Sequence, residues 1–311
     1  MDISFPIEAN SIVSELQSLL FTEKGIRFFV KREDLMHPQI SGNKWRKLKY
    51  NLLEAKRLNH HTLLTFGGSF SNHIYATAAA GRLYGFKTIG IIRGELVEPL
   101  NTTLQFAVDH GMILKYVNRE MYRNKDEADF IESLKSEFGD FYLIPEGGTN
   151  QFAIHGCKEI LQPADFETYS HICCCCGTGG TITGIIAASK GKSQILGYSV
   201  LKGDFMENEI KKLIGKSPTL TKKYFCCTES KREGTDETYS NFNIINNYHF
   251  GGYAKNTSEL MQFIEMFENQ FNIPLEHVYT GKLFHGIFDM IAKDYFPKGA
   301  KILAIHTGGL R

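Results

Sequence analysis

Apolar positions along this chain come in two patterns that take turns. Short apolar runs are read as strands: Ile26 to Val30, Thr62 to Phe66, Thr88 to Ile92, Ile113 to Val117, Tyr142 to Ile144, His171 to Cys176, Gln194 to Val200 and Lys301 to Ile305. Between them, apolar residues at helical spacing predict helices. Leu48, Leu52 and Ala55 mark one from Lys44 to about Leu58. Others are expected over Ile74 to Tyr84, Thr102 to His110, Lys125 to Phe138, Ala153 to Leu161, Ile182 to Ser189, Glu207 to Ile214 and Ser258 to Asn269. A last one opens at Val278-Tyr279-Thr280-Gly281-Lys282 and runs to about Asp294, while Lys222 to Gln270 is less regular overall. Ser11 to Leu20 is read as a short amphipathic helix. Strand and helix in alternation imply an α/β fold, with parallel sheets and covering helices.

Bulk composition changes this picture little. A length of 311 residues suits two domains or one large one, and no internal repeat or long linker divides the chain. The 42% hydrophobic and 22% charged content is ordinary for a soluble globular protein. A net charge of +1 argues against nucleic acid or an anionic membrane as partner. No apolar run reaches membrane-spanning length. Met1-Asp2-Ile3-Ser4 has neither the basic nor the apolar region of a signal peptide, so none is expected.

Cysteine usage is unusual. Cys157, Cys173, Cys174, Cys175, Cys176, Cys226 and Cys227 are odd in number and clumped, which is no disulfide framework. Four consecutive cysteines do not have zinc-ligand spacing, so no metal site is expected. They read as small hydrophobes on a strand buried on both faces. Abundant free thiols fit a reducing cytoplasm.

Chemistry concentrates in the loops. In Ile40-Ser41-Gly42-Asn43-Lys44-Trp45-Arg46-Lys47, Gly42 is a permissive backbone position and Asn43 a candidate helix N-cap. Lys44, Arg46, Lys47 and Lys49 crowd the positive end of a helix dipole, an arrangement that calls for an anion. Crowding by positive charge should lower the pKa of Lys44, as a Schiff-base nucleophile requires. Gly177-Thr178-Gly179-Gly180-Thr181 follows a buried strand and opens a helix, so its backbone can close on a phosphate. It lacks the P-loop lysine and the dinucleotide spacing, which favours a phosphate monoester. A plain strand-to-helix turn is the other reading of this loop. Ser71-Asn72-His73 sits on a second strand–turn–helix junction suited to a substrate carboxylate. A hydrolase using Ser71 is a rival, although no Gly-x-Ser-x-Gly occurs here. Tyr253 and Tyr279 lie among glycines and could line a site, or simply pack in the core. Gly147-Gly148-Thr149-Asn150 looks like a crossing between domains. A reactive lysine, a phosphate loop and a carboxylate loop together suggest pyridoxal 5′-phosphate.

An ordered set of motifs carries a family resemblance. Lys31-Arg32-Glu33-Asp34, Gly42-Asn43-Lys44, Gly67-Gly68 with Ser71-Asn72, Pro145-Glu146-Gly147-Gly148, Gly177 to Thr181 and Tyr279-Thr280-Gly281-Lys282 follow one another along the chain. The sequence resembles the 1-aminocyclopropane-1-carboxylate deaminase and D-cysteine desulfhydrase family over nearly its whole length. That resemblance implies a fold-type-II pyridoxal-phosphate enzyme with two open, twisted, mostly parallel sheets. It implies a large cofactor-binding domain of residues 1-51 and 152-311, a small domain of 52-151, and a homodimer. By resemblance Lys44 is the Schiff-base lysine, and Lys47 with Gly177, Thr178, Gly179, Gly180 and Thr181 holds the phosphate. Asn72 contacts the phenolic oxygen of the cofactor. Ser71 and Asn72, with His73 alongside, receive the substrate carboxylate, and Tyr253 and Tyr279 flank cofactor and substrate. Ser71 or Tyr279 is the candidate proton-transfer group beside Lys44.

Two positions bear on the substrate. The deaminases carry Tyr-Glu-Gly-Lys and His-Leu-Gly-Gly, whereas this chain has Thr280 and Thr307 in Tyr279-Thr280-Gly281-Lys282 and His306-Thr307-Gly308-Gly309. A glutamate beside the pyridine nitrogen favours its protonated form, while a threonine hydroxyl only hydrogen-bonds it. Expelling hydrosulfide needs the weaker electron sink, so D-cysteine to pyruvate, ammonia and sulfide is the first expectation. Aminocyclopropane-carboxylate to 2-oxobutyrate and ammonia is the second. A non-catalytic binding protein is the reading from another class.

Overall fold

The computed structural model describes residues 11–215 and 239–310; Cys226, Cys227 and the first part of the irregular 222–270 stretch lie outside the described residues. The strands are β1 (Ile12–Leu16), β2 (Arg27–Arg32), β3 (Thr62–Gly68), β4 (Lys87–Arg93), β5 (Met112–Val117), β6 (Tyr142–Ile144), β7 (His171–Cys176), β8 (Gln194–Ser199), β9 (Phe242–Ile245) and β10 (Lys301–His306). The helices are α1 (Leu19–Lys24), α2 (Asn43–Arg57), α3 (Asn72–Tyr84), α4 (Thr102–Asp109), α5 (Arg119–Arg123), α6 (Ala128–Phe138), α7 (Gln151–Lys158), α8 (Asp165–Thr168), α9 (Gly180–Ser189), α10 (Met206–Gly215), α11 (Ser258–Phe271) and α12 (Thr280–Ala292).

Two open sheets form. One has six strands in the order β1-β2-β10-β7-β8-β9, the other four in the order β5-β4-β3-β6. Every pairing is parallel except β1 with β2. Parallel strands need crossover connections, which the intervening helices supply, and those helices cover both faces. The apolar strand interiors follow from that double burial.

The four cysteines of β7 illustrate it. Successive side chains on a strand point to opposite faces. Cys173 and Cys175 enter one core layer with Phe28, Leu283 and Phe284, and Cys174 and Cys176 enter the other with Ile182, Ile185 and Leu303. All four are buried free thiols.

Three expectations need correction. Residues 11–20 do not form one helix: Ile12–Leu16 pairs antiparallel with Arg32 to Phe28 as an edge strand, and only then does α1 begin. Its apolar spacing fits either element, and the open edge of β2 decides between them. The helix expected over Lys125 to Phe138 forms as α6, but it starts three residues later, at Ala128, and a separate short helix, α5, precedes it. Asn43 is not the N-cap of α2; Gly42 is, and Asn43 is the first helical residue.

Gly42 has a positive φ of 63°, and a Cβ there would lie 1.9 Å from the carbonyl oxygen of Thr307. Only glycine lets the start of α2 touch the end of β10. Farther along, Gly156 of α7 permits a similar approach, since a Cβ there would lie 1.9 Å from Arg46 O on α2. α2 thus serves both sheets. It packs on α7, while Trp45, Leu48 and Leu52 join Leu63, Ala76 and Ile144 in the core of the four-stranded sheet. Residue 51, the expected domain boundary, falls inside it.

Candidate active site

The site gathers at the carboxyl ends of the parallel strands, where open α/β sheets place ligands. β7 runs into the 177–179 turn and α9; β3 runs into 69–71 and α3; β10 ends at Thr307. The start of α2 meets all three. A cleft of about 560 Å³ lies between them, lined by Lys44, Lys47, the 71–73 segment, the 177–181 loop, Thr307, Tyr279, Asn43, Gly147, Cys175 and Ile182. Among the described residues neither aspartate nor glutamate lines it.

Lys47 is the buried cation of this cleft. Its Nζ donates to Gly147 O at 2.9 Å, Thr149 Oγ1 at 3.0 Å and Thr178 Oγ1 at 3.3 Å. Burial pushes its amine below the ordinary lysine value. Neutral oxygens offset the burial of a charge poorly, whereas an anion would offset it well. The first turn of α9 adds backbone N–H groups at the same place, so this end is built for a phosphate. Lys47→Met should therefore weaken pyridoxal 5′-phosphate binding roughly ten- to a hundredfold, the loss of one charge-assisted hydrogen bond. A fluorescence titration of the cofactor-free protein measures this, and an unchanged dissociation constant would remove Lys47 from the phosphate site.

Lys44 also lines the cleft, and its Nζ donates to Asn43 Oδ1 at 2.9 Å. The amide of Asn43 donates in turn to Thr181 Oγ1 at 2.8 Å. One side chain therefore ties the Lys44 amine to the 177–181 loop. Sequence reasoning assigned Asn43 to helix capping and missed this. Its position beside a candidate lysine was the available signal. Thr149 and Cys175 were missed as well, one read as part of a crossing loop and the other as a core residue.

At the 71–73 segment, Ser71 Oγ accepts from His73 N and Ile74 N and so caps α3. Asn72 opens the helix and lines the cleft. The ring of His73 turns inward. Thr65 Oγ1 donates to Ile144 O and must therefore accept from His73 Nε2, 2.8 Å away. Burial, with Lys44 and Lys47 nearby, holds His73 well below the ordinary histidine value. The ring is neutral and its Nδ1 offers a lone pair, which cannot receive a carboxylate. Any carboxylate held here would meet the Ser71 hydroxyl and the Asn72 amide instead. The same geometry leaves Ser71 without a histidine base, which speaks against the hydrolase reading.

At the other wall, Thr307 Oγ1 lies 3.1 Å from Cys175 Sγ, and both line the cleft. Thr280 is fully buried and does not line it. Its hydroxyl accepts from Glu276 N and donates to Glu276 Oε1 at 3.2 Å. Glu276 also accepts from the N–H groups of Val278, Tyr279 and Thr280, fixing the entry to α12. Tyr279 lines the cleft, and burial pushes its phenol well above the ordinary value. Tyr253 stands behind it, edge to face at 6.0 Å, and is not itself a lining residue.

These residues fit pyridoxal 5′-phosphate. A cation and a helix start await a dianion, and an amine for the aldehyde lines the same cleft. Gly180 keeps the cradle open, since a Cβ there would come within 2.9 Å of Thr149 and 3.3 Å of Lys47 Nζ. Among the described residues no group of three His, Cys, Asp or Glu is arranged to hold a metal, and no helix is long and apolar enough to cross a membrane.

Comparison with known proteins agrees with this chemistry. The model of a family described as pyridoxal-phosphate dependent enzymes matches residues 12–308. A Thermotoga maritima protein that carries the name of a 1-aminocyclopropane-1-carboxylate deaminase is 32% identical, over 92% of this chain and 89% of its own length. The mitochondrial bifunctional D-cysteine desulfhydrase/1-aminocyclopropane-1-carboxylate deaminase of Arabidopsis thaliana is 29% identical, over 92% of this chain and 73% of its own. The crystal structure of an ACC deaminase homologue superimposes with a TM-score of 0.79 at 28% identity, covering 98% of this chain and 90% of that one. A hydrogen sulfide-producing enzyme of Fusobacterium nucleatum, 14% identical with a TM-score of 0.64, shares the fold. Matched in this way over nearly its whole length, the chain belongs to the pyridoxal-phosphate dependent enzymes, in the family of the 1-aminocyclopropane-1-carboxylate deaminases and D-cysteine desulfhydrases.

Proposed function

We propose that this enzyme eliminates the β-substituent of a small D-amino acid, with D-cysteine and water giving pyruvate, ammonia and hydrogen sulfide. The absence of a carboxylate from the cleft among the described residues carries this reading. A hydroxyl and a thiol, Thr307 and Cys175, line one wall, where neither would strengthen the electron sink as a carboxylate would, and Glu276 is spent on backbone N–H groups behind Thr280. When bound, pyridoxal 5′-phosphate draws electrons from the Cα of an amino acid joined to its aldehyde carbon.

The side chains divide the remaining work. Lys47 and the 177–181 loop grip the phosphate. Ser71 and Asn72 receive the substrate carboxylate and orient Cα. Lys44, steadied by Asn43, takes the Cα proton. The Cβ–S bond breaks with its electron pair on sulfur, a leaving group that needs little assistance. Burial keeps the Tyr279 phenol protonated, so it acts as a hydrogen-bond donor rather than a base. Ser71 is the less suitable proton-transfer group, because its oxygen already caps α3.

Opening aminocyclopropane-carboxylate to 2-oxobutyrate is the second reading, favoured by the relative named for both activities. Sulfide release from D-cysteine, assayed beside 2-oxobutyrate release from the cyclic substrate, separates them. Thr307→Leu, at the one of the two positions that lines the cleft, should reduce sulfide release roughly tenfold, the effect of one lost hydrogen bond, and raise the share of 2-oxobutyrate. Failure of the wild type to release sulfide would refute the first reading. We further propose the two-domain division at 1-51 with 152-311 against 52-151, a homodimer, and a cytoplasmic setting that keeps the five described cysteines reduced.

A further inference from the structure

Lys282 is a buried cation that the mechanism above does not use. It lies on the first turn of α12, three residues after Tyr279, and is 1% exposed. Among the described residues no carboxylate pairs with it. Its Nζ donates instead to two backbone carbonyls, His249 O at 2.9 Å and Gly252 O at 2.7 Å. Burial pushes its amine down to about 8, so the ammonium still predominates at neutral pH.

The segment it reaches is strained. Phe250, Gly251, Gly252 and Ala254 all have positive φ, at 49°, 92°, 119° and 55°. Left-handed backbone at non-glycine residues persists only where surrounding contacts over-determine it. Within the turn, Gly252 N and Lys255 N each donate to a carbonyl that Lys282 also holds, and Gly251 N donates to His249 Nδ1. Among the described residues the ammonium is the one contact that joins both carbonyls to α12, which Tyr279 immediately precedes. Tyr253 projects from this turn and meets Tyr279 edge to face. Tyr279 in turn packs on the anion loop, for a Cβ on Gly177 would lie 3.1 Å from its Cε1.

We propose that Lys282 is a positioning residue, whose ammonium clamps the 249–254 turn so that Tyr253 holds Tyr279 against the cofactor cleft. The inference rests on the cleft being the cofactor site. It names no substrate, and its test needs bound cofactor but no turnover. A wrong substrate assignment would leave that test intact.

The test is a double-mutant cycle on the full chain with Lys282→Met, Tyr253→Ala and the pair. The readouts are the pyridoxal 5′-phosphate dissociation constant and the visible circular dichroism of the bound cofactor. Each single change should weaken binding about tenfold and alter the dichroism, and the pair should be no worse than either. Lys282→Gln, which keeps an amide donor, should recover part of the loss. Additive losses would mean that Lys282 does not act through Tyr253, and would overturn the proposal. So would a Lys282→Met protein that melts earlier but binds cofactor with wild-type affinity and dichroism, since that is a purely structural role. Should Lys282→Met fail to fold, Tyr253→Ala decides alone: unchanged binding and dichroism there would also overturn it.

Discussion

Lys44→Ala should leave the protein unable to bind pyridoxal 5′-phosphate covalently, and turnover should fall at least a thousandfold. The expected size comes from losing one group that acts both as nucleophile and as proton carrier, each role alone being worth about a hundredfold or more. Among the described residues no other side chain of the cleft can stand in. Lys47 is the second lysine of the cleft, and its three N–H groups are directed at Gly147, Thr149 and Thr178. The phosphate grip should survive, so the variant still binds the cofactor, only more weakly. Borohydride treatment separates the two effects. It should fix the cofactor to residue 44 of the wild type, as read by peptide mass, and fix none in the variant. A label on any other lysine would end the assignment.

Breaking the ion pair beneath that lysine should produce the largest loss of stability. Arg46 donates through Nε to Glu33 Oε2 at 3.0 Å and through a terminal nitrogen to Oε1 at 3.1 Å. The side chains are 6% and 0% exposed. Glu33→Ala takes the bidentate partner from a buried guanidinium, with Glu159 Oε2 still 3.9 Å away, and breaking such a pair costs about 3–5 kcal/mol. The damage should reach the site, since Arg46 adjoins Lys47 on α2 and Glu33 O accepts from Gly42 N. Replacing both partners by methionine should recover most of the stability, because the charge and its desolvation are removed together. Urea denaturation of the cofactor-free protein compares the three. A double variant as unstable as Glu33→Ala would show that the pair is held by packing rather than by charge.

Legibility of the fold differed from place to place, for physical reasons. Strands buried on both faces announce themselves as continuous apolar runs, so β3, β4, β7 and β10 were visible within a residue or two. β1 was not. Ile12 is largely exposed and its partner, Arg32, lies twenty residues away, so only the sheet edge could choose strand over helix. In the site, loops rich in glycine next to helix starts stood out because that composition has few other uses. Asn43, Thr149 and Cys175 did not, since each is an ordinary residue whose meaning depends on a neighbour about 130 residues distant or, for Thr149, about 100. Thr280 and Thr307 looked equivalent in sequence. The structure turns one toward Glu276 and the other into the cleft.

Local information alone was enough to determine the alternation of elements, the lysine at a helix start and the loop suited to a phosphate, because backbone preference and burial period act within a few residues. Tertiary structure decided which of those groups meet. It joined Asn43 to Thr181, set the ring of His73 against Thr65, and left the cleft without a carboxylate among the described residues. Those outcomes depend on how two sheets dock across α2, and docking is settled by the shape of whole buried faces rather than by any short stretch of chain.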